Sequence, residues 1–101
     1  MKIVWSAFAE ECLKEIYFYY RYKASVSVAD KIIDSLLEKP ESLRHHSFIG
    51  QEEQLLLSLK RGHRYLVEGP FKIIYEVKAD CILITDVFHT KQNPKKIKRN
   101  K

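Results

Sequence analysis

Apolar positions along the chain recur at two different periods, and the change from one to the other separates a helical first half from an extended second half. Lys2 to Trp5 is short, with β-branched and aromatic residues, and predicts a strand. Ser6 follows as a helix N-cap with Ala9 and Glu10 in the first turn. Phe8, Cys12, Leu13, Ile16, Tyr17 and Tyr20 then recur at helical spacing, which predicts an amphipathic helix to about Tyr22. The aromatic run Tyr17-Phe18-Tyr19-Tyr20 is wider than one helix face needs. Deep packing against a sheet is favoured over a partner surface as its explanation. Ser25 or Ser27 caps a second helix whose buried stripe is Val28, Ala29, Ile32, Ile33, Leu36 and Leu37. Pro40 ends it, because proline disfavours helical geometry in the residue before it. The link between the helices is short, so they form an antiparallel hairpin.

Residues 40–62 follow neither period. They carry His45-His46, Gly50, Glu52-Glu53 and Leu55-Leu56-Leu57, and leave room for a strand or a short helical turn. Three extended runs come next. His63 to Glu68 is the first, and Gly69-Pro70 turns the chain. Phe71 to Val77 places Phe71, Ile73, Tyr75 and Val77 on one face and Lys72, Ile74 and Glu76 on the other. After Ala79-Asp80, Cys81 to Phe88 is an almost unbroken apolar run, as expected of a central strand. The order is β-α-α-β-β-β. The fold class is α+β, an antiparallel sheet with a helical hairpin packed on one face and a basic C-terminal tail.

Length and charge narrow the picture. A chain of 101 residues fits one compact domain, 1–101, and 46% apolar residues can build its core. Residues 1–62 hold nine Lys/Arg and nine Asp/Glu, whereas residues 63–101 hold nine and four, so the whole excess of +5 lies in the second segment. Six of the last eleven residues, 91–101, are Lys or Arg. Such a polarised field steers polyanions or acidic proteins to one surface; a solvated tail that aids solubility is the plainer reading. Cys12 and Cys81 follow no metal spacing and read as small buried hydrophobes in a reducing compartment. His45 and His46 lack partners at ligand spacing, so neither a metal nor another cofactor is expected. The start has no long apolar segment, and no stretch approaches the ~20 residues that span a bilayer. A cytoplasmic protein without a membrane partner is expected.

Three segments, in order along nearly the whole chain, resemble the RelE/ParE toxin superfamily. The first is the strand ending in Trp5, followed by a helix with Phe8-Ala9-Glu10 and Leu13-Lys14-Glu15-Ile16. The second is Arg64-Tyr65-Leu66-Val67-Glu68-Gly69-Pro70-Phe71-Lys72-Ile73-Ile74-Tyr75-Glu76, similar to the family's hairpin. The third is Asp86-Val87-Phe88-His89-Thr90-Lys91-Gln92-Asn93-Pro94, similar to its last strand and exit. The resemblance implies the toxin half of a bacterial type II toxin–antitoxin pair, bound in a hetero-oligomer by a cognate antitoxin protein. One branch of the superfamily, ParE-like, inhibits DNA gyrase. The other, RelE-like, cuts messenger RNA on the ribosome. The hairpin and exit look more ParE-like.

Metal-free RNA cleavage needs a base for the 2′-hydroxyl, an acid for the leaving oxygen, and cations for the phosphate. By resemblance, Arg64 and His89 are the catalytic candidates, and Lys60, Arg61, Lys72, Lys91, Lys95 and Lys96 are candidates for contact with RNA or another target. Glu52 or Glu53 is a further candidate base. Arg64 reads equally as a structural ion-pair partner of Glu68 or Glu76. His89, with an unperturbed pKa of about 6.5, suits proton transfer; the plainer reading is a hydrogen bond that caps a loop. No aromatic follows Phe88, and Gln92 stands where the family often has arginine. Lysine lacks the planar fork of arginine, so this departure weighs against an efficient nuclease. A basic RNA-binding module without toxicity is the third class.

Overall fold

Extended chain over Lys2–Trp5 (β1) leads into a helix over Ala7–Lys23 (α1). Ser6 starts the helix as its sequence predicts, accepting the Ala9 N–H on Oγ at 3.0 Å and so satisfying one of the amides the first turn leaves open. Arg21 and Lys23 occupy the last turn, against the negative end of the helix dipole. A second helix, Val26–Glu38 (α2), begins at Ser25, whose Oγ accepts the Val28 N–H at 3.1 Å. The helix does not stop dead before Pro40. It tightens into a 3-10 turn over Lys39–Arg44, with Pro40 near the turn's start, where a missing N–H costs nothing. The computed structural model describes residues 1–52 and 62–91.

The remaining strands are Gln51–Glu52 (β2), Arg64–Glu68 (β3), Phe71–Val77 (β4) and Cys81–His89 (β5). They form a five-stranded sheet in the order β1-β5-β4-β3-β2. The antiparallel meander β3-β4-β5 is present as expected, with Gly69 at φ 56° in its first turn. Two details were not legible. β1 pairs with β5 in parallel, which makes the sheet mixed, and two residues of the irregular segment add an edge as β2. β5 thus lies between β1 and β4, which accounts for its continuous apolar character.

The main core joins Ala9 of α1, Leu36 of α2 and Leu43 of the 3-10 turn to Phe71, Ile73, Tyr75, Ile82, Ile84 and Val87. In β5 the inward residues change from even to odd numbers. The cause is a bulge: Tyr75 pairs with Ile84 but Ile74 pairs with Asp86, so Thr85 is the extra residue. Thr85 Oγ1 donates to the Ile74 carbonyl at 3.5 Å. The bulge keeps Val87 on the helix side with Ile82 and Ile84, and puts His89 across from Phe71 on that side too. On the opposite face, Ile74, Phe88 and Tyr65 form a smaller cluster.

The helices differ from expectation in what they leave uncovered. Tyr20 packs as expected, edge-on to Phe71 at 6.2 Å. Deep packing does not explain the rest of the aromatic run: Phe18 is 57% exposed, Tyr19 is also exposed, and Tyr22, one turn after Phe18, is 85% exposed. The reason is angular. The buried stripe Ala9, Leu13, Ile16 and Tyr20 faces the sheet, and Phe18 and Tyr22 project on the other side of α1. Val28 and Leu37 are likewise exposed, at the margins of the α2 stripe.

Cys12 and Cys81 are free thiols and only partly buried. Cys12 Sγ donates to Asp86 Oδ1 at 3.5 Å. Burial, with the Asp86 carboxylate adding to it, pushes the Cys12 thiol up to about 12. A thiol with a raised pKa stabilises the fold below its unfolded value and loses that contribution as pH rises through the folded one. Stability should therefore fall between about pH 9 and pH 12 more steeply in the wild type than in Cys12→Ala. Urea denaturation of both proteins across that window checks this; parallel curves would contradict it. Iodoacetamide at pH 8 should leave Cys12 unmodified in the folded protein, because the thiolate is the nucleophile.

Candidate functional site

Arg64 begins β3 opposite Tyr75, and alternation turns it, with Leu66 and Glu68, to the helix-facing side. Its guanidinium pairs with neither Glu68 nor Glu76. Nη1 donates to the Gly50 carbonyl at 2.9 Å and to the Phe48 carbonyl at 3.5 Å, and the guanidinium carbon lies 5.1 Å from the centre of the Phe48 ring. Gly50 is held from its other side as well, its N–H donating to Tyr75 Oη at 2.9 Å. Burial raises the Tyr75 phenol above its ordinary value, against the opposing effects of that Gly50 hydrogen bond and of Arg64. Tyr65 Oη donates to Gln51 Oε1 at 2.8 Å. Residues 48–51 are thus fastened to β3 and β4 through three side chains.

His89 ends β5. Its ring meets Phe71 edge-on at 5.5 Å, and its Nδ1 accepts the Lys91 N–H at 3.1 Å. A ring that accepts at Nδ1 carries its proton on Nε2. The hydrogen bond is of the loop-capping kind. His89 and Arg64 share the helix-facing side but not a location. Arg64 stands opposite Tyr75, and His89 opposite Phe71 on the far side of β4. Four residues along the strand and two strand spacings across it separate their backbones by about 16 Å. Their side chains are engaged apart, Arg64 with residues 48 and 50 and His89 with Phe71 and Lys91.

Lys72 lies on the other face, with its Nζ 4.1 Å from the centre of the Tyr65 ring. Lys91 is exposed just past β5. Lys60, Arg61, Lys95 and Lys96, together with Glu53, Gln92 and most of the basic tail, lie outside the described residues; Glu52 is exposed in β2.

One cluster went unread in the sequence. His63, next to Arg64, is fully buried, with Nε2 3.3 Å from Glu76 Oε2. The second Glu76 oxygen takes Lys78 Nζ at 3.2 Å. Register is the signal that finds it: if Arg64 faces Tyr75, then His63 faces Glu76. Among the described residues, no group of three or more His, Cys, Asp or Glu is placed to hold a metal ion. None of the described helices is long and apolar enough to cross a membrane.

Comparison with known proteins places this architecture. A solved structure titled "Chromosomal ParDE TA system from P. aeruginosa" superposes with a TM-score of 0.75, covering 88% of this chain and 95% of that one. At 22% identity, that likeness speaks to the fold. No curated protein sequence matches. The model of the family described as "ParE toxin of type II toxin-antitoxin system, parDE" matches residues 3–94, which takes in the strand, the hairpin and the exit. The chain belongs to the ParE toxin family of type II toxin–antitoxin systems.

Proposed function

We propose that the protein arrests growth by binding DNA gyrase in the cytoplasm, and that a cognate antitoxin neutralises it by binding it in turn. The observation that carries this reading is the disposition of Arg64 and His89. Arg64 directs Nη1 toward the backbone of residues 48 and 50, His89 accepts the Lys91 N–H beside Phe71, and the strand register sets their backbones about 16 Å apart. General acid–base cleavage asks for its groups within hydrogen-bond reach of one phosphate. A toxin that works by occupying a protein makes no such demand. Membership of the ParE family supports the same choice. The exposed ridge of Phe18 and Tyr22 on α1 offers the kind of apolar surface that an amphipathic antitoxin segment covers. The domain spans 1–101 in this reading, with the basic tail adding long-range attraction to an acidic partner.

Expression from a tightly controlled promoter, without the antitoxin, tests the proposal with two readouts. Plasmid topology should shift from supercoiled toward relaxed while transcripts stay intact. His89→Ala should arrest growth as fully as the wild type. Transcripts cut within codons, and a His89→Ala variant that no longer arrests growth, would instead establish the ribosome-dependent nuclease.

A further inference from the structure

Single exposed apolar residues are ordinary on protein surfaces. Phe48 and Ile49 are not ordinary in how they are held. They are adjacent, 66% and 60% exposed, and the residues on either side are fixed. The Ile49 N–H donates to the His46 carbonyl at 3.2 Å, Gly50 is gripped at both its N–H and its carbonyl, and Gln51 is paired with Tyr65. Gly50 lies so close to its surroundings that a Cβ there would stand 2.5 Å from Tyr75 Oη and 2.6 Å from the Tyr65 carbonyl. The sequence spends a glycine, a buried tyrosine and an arginine to present two apolar side chains to water. Arg64 completes the arrangement by stacking on Phe48, and among the described residues no carboxylate pairs with it.

We propose that the Phe48–Ile49 tip, with Arg64 beneath it, is the surface through which the toxin grips its target, and that it fits a protein pocket that is apolar inside and carries a carboxylate at its rim. The inference rests on the reading of the chain as a protein-binding toxin. Binding of an apolar anchor is strongest when the anchor is already held in its bound position, since less conformational freedom is lost. Energetic anchors are large side chains entering desolvated pockets. A guanidinium that no described carboxylate pairs with, beside such an anchor, is complementary to an acidic rim. Arg64 acts here as a positioning residue and an ionic contact, with no part in proton transfer.

The test uses the full chain as wild type, as Phe48→Ser/Ile49→Ser, and as Leu37→Ser, which removes an exposed apolar side chain elsewhere. Both changes are on the surface, so thermal midpoints should stay close to wild type, and both variants should still co-purify with the antitoxin. Growth arrest on induction is read first, because it does not depend on which target is hit. Inhibition of supercoiling by purified gyrase is read second. The tip variant should lose growth arrest and need at least tenfold more protein for half-inhibition, while Leu37→Ser matches the wild type. A folded tip variant that arrests growth like the wild type overturns the inference. A wild type that arrests growth without affecting gyrase refutes the gyrase reading but leaves the tip to be judged on growth arrest. A wild type with no effect on growth overturns both.

Discussion

Gly50→Ala should destabilise the protein by about 3 kcal/mol, a large effect for one methyl group. The added Cβ would meet Tyr75 Oη at 2.5 Å, the Tyr65 carbonyl oxygen at 2.6 Å and Tyr75 Cε1 at 2.7 Å. Two of those three atoms belong to a tyrosine fully buried in the main core, and the third is backbone of β3. None can move without disturbing the sheet. In a domain of this size the change corresponds to a drop in Tm of roughly 10 °C or more. Tyr75→Phe alone should cost about 1 kcal/mol, the net worth of a typical hydrogen bond. Combined with Gly50→Ala, it should restore only part of the loss, because Cε1 and the Tyr65 carbonyl remain in the way. Chemical denaturation of the four proteins of this cycle measures each quantity. A Gly50→Ala protein within 0.5 kcal/mol of wild type, on the order of an ordinary surface change, would show that the segment is not pinned.

Glu76→Ala should cost a similar amount, about 3 kcal/mol, for a different reason. The carboxylate is buried between His63 at 3.3 Å and Lys78 at 3.2 Å. Removing it leaves a cavity beside a buried imidazole and takes a carboxylate from both His63 and Lys78, and a buried polar group that loses a partner has less to offset its desolvation cost. Replacing both members of the pair, His63→Leu with Glu76→Leu, should bring stability back near that of the wild type, because apolar side chains of similar volume avoid the desolvation. Urea midpoints of the single and double variants decide the matter. If Glu76→Ala unfolds within 1 kcal/mol of wild type, on the order of an exposed ion pair's worth, the pair contributes nothing that burial would lead one to expect.

Much of this architecture was legible because local rules and tertiary packing agree. Ser6 and Ser25 are good N-caps and both are used as such, and the alternation of Phe71, Ile73, Tyr75 and Val77 identifies the helix-facing side of β4. What escaped reading depends on contacts between distant residues. The Thr85 bulge is invisible in a run where every residue but Asp86 tolerates burial, yet it decides which face His89 occupies. The parallel placement of β1 beside β5 joins residues about 80 positions apart and leaves no trace in periodicity. Strand β2 is two residues long, too short for any pattern. The exposed aromatic ridge of α1 departs from the expected deep packing because apolar content alone does not distinguish a side chain facing a sheet from one facing water.

The candidate site divides in the same way. Residue type marked Arg64 and His89 as chemically capable, and alternation placed Arg64 on the same side as Leu66 and Glu68. Neither could reveal that Arg64 turns Nη1 to the carbonyls of residues 48 and 50, since no sequence rule links position 64 to position 50. The buried His63–Glu76 pair follows only once the register of β3 against β4 is known.

A toxin whose effect comes from occupying a protein surface should act on that protein in isolation. Purified gyrase, relaxed plasmid and ATP, titrated with this chain alone, is the shortest route to the claim. We expect supercoiling to fall in proportion to the toxin added and to return when the antitoxin is supplied. Undiminished supercoiling at a saturating excess of folded toxin would contradict the account.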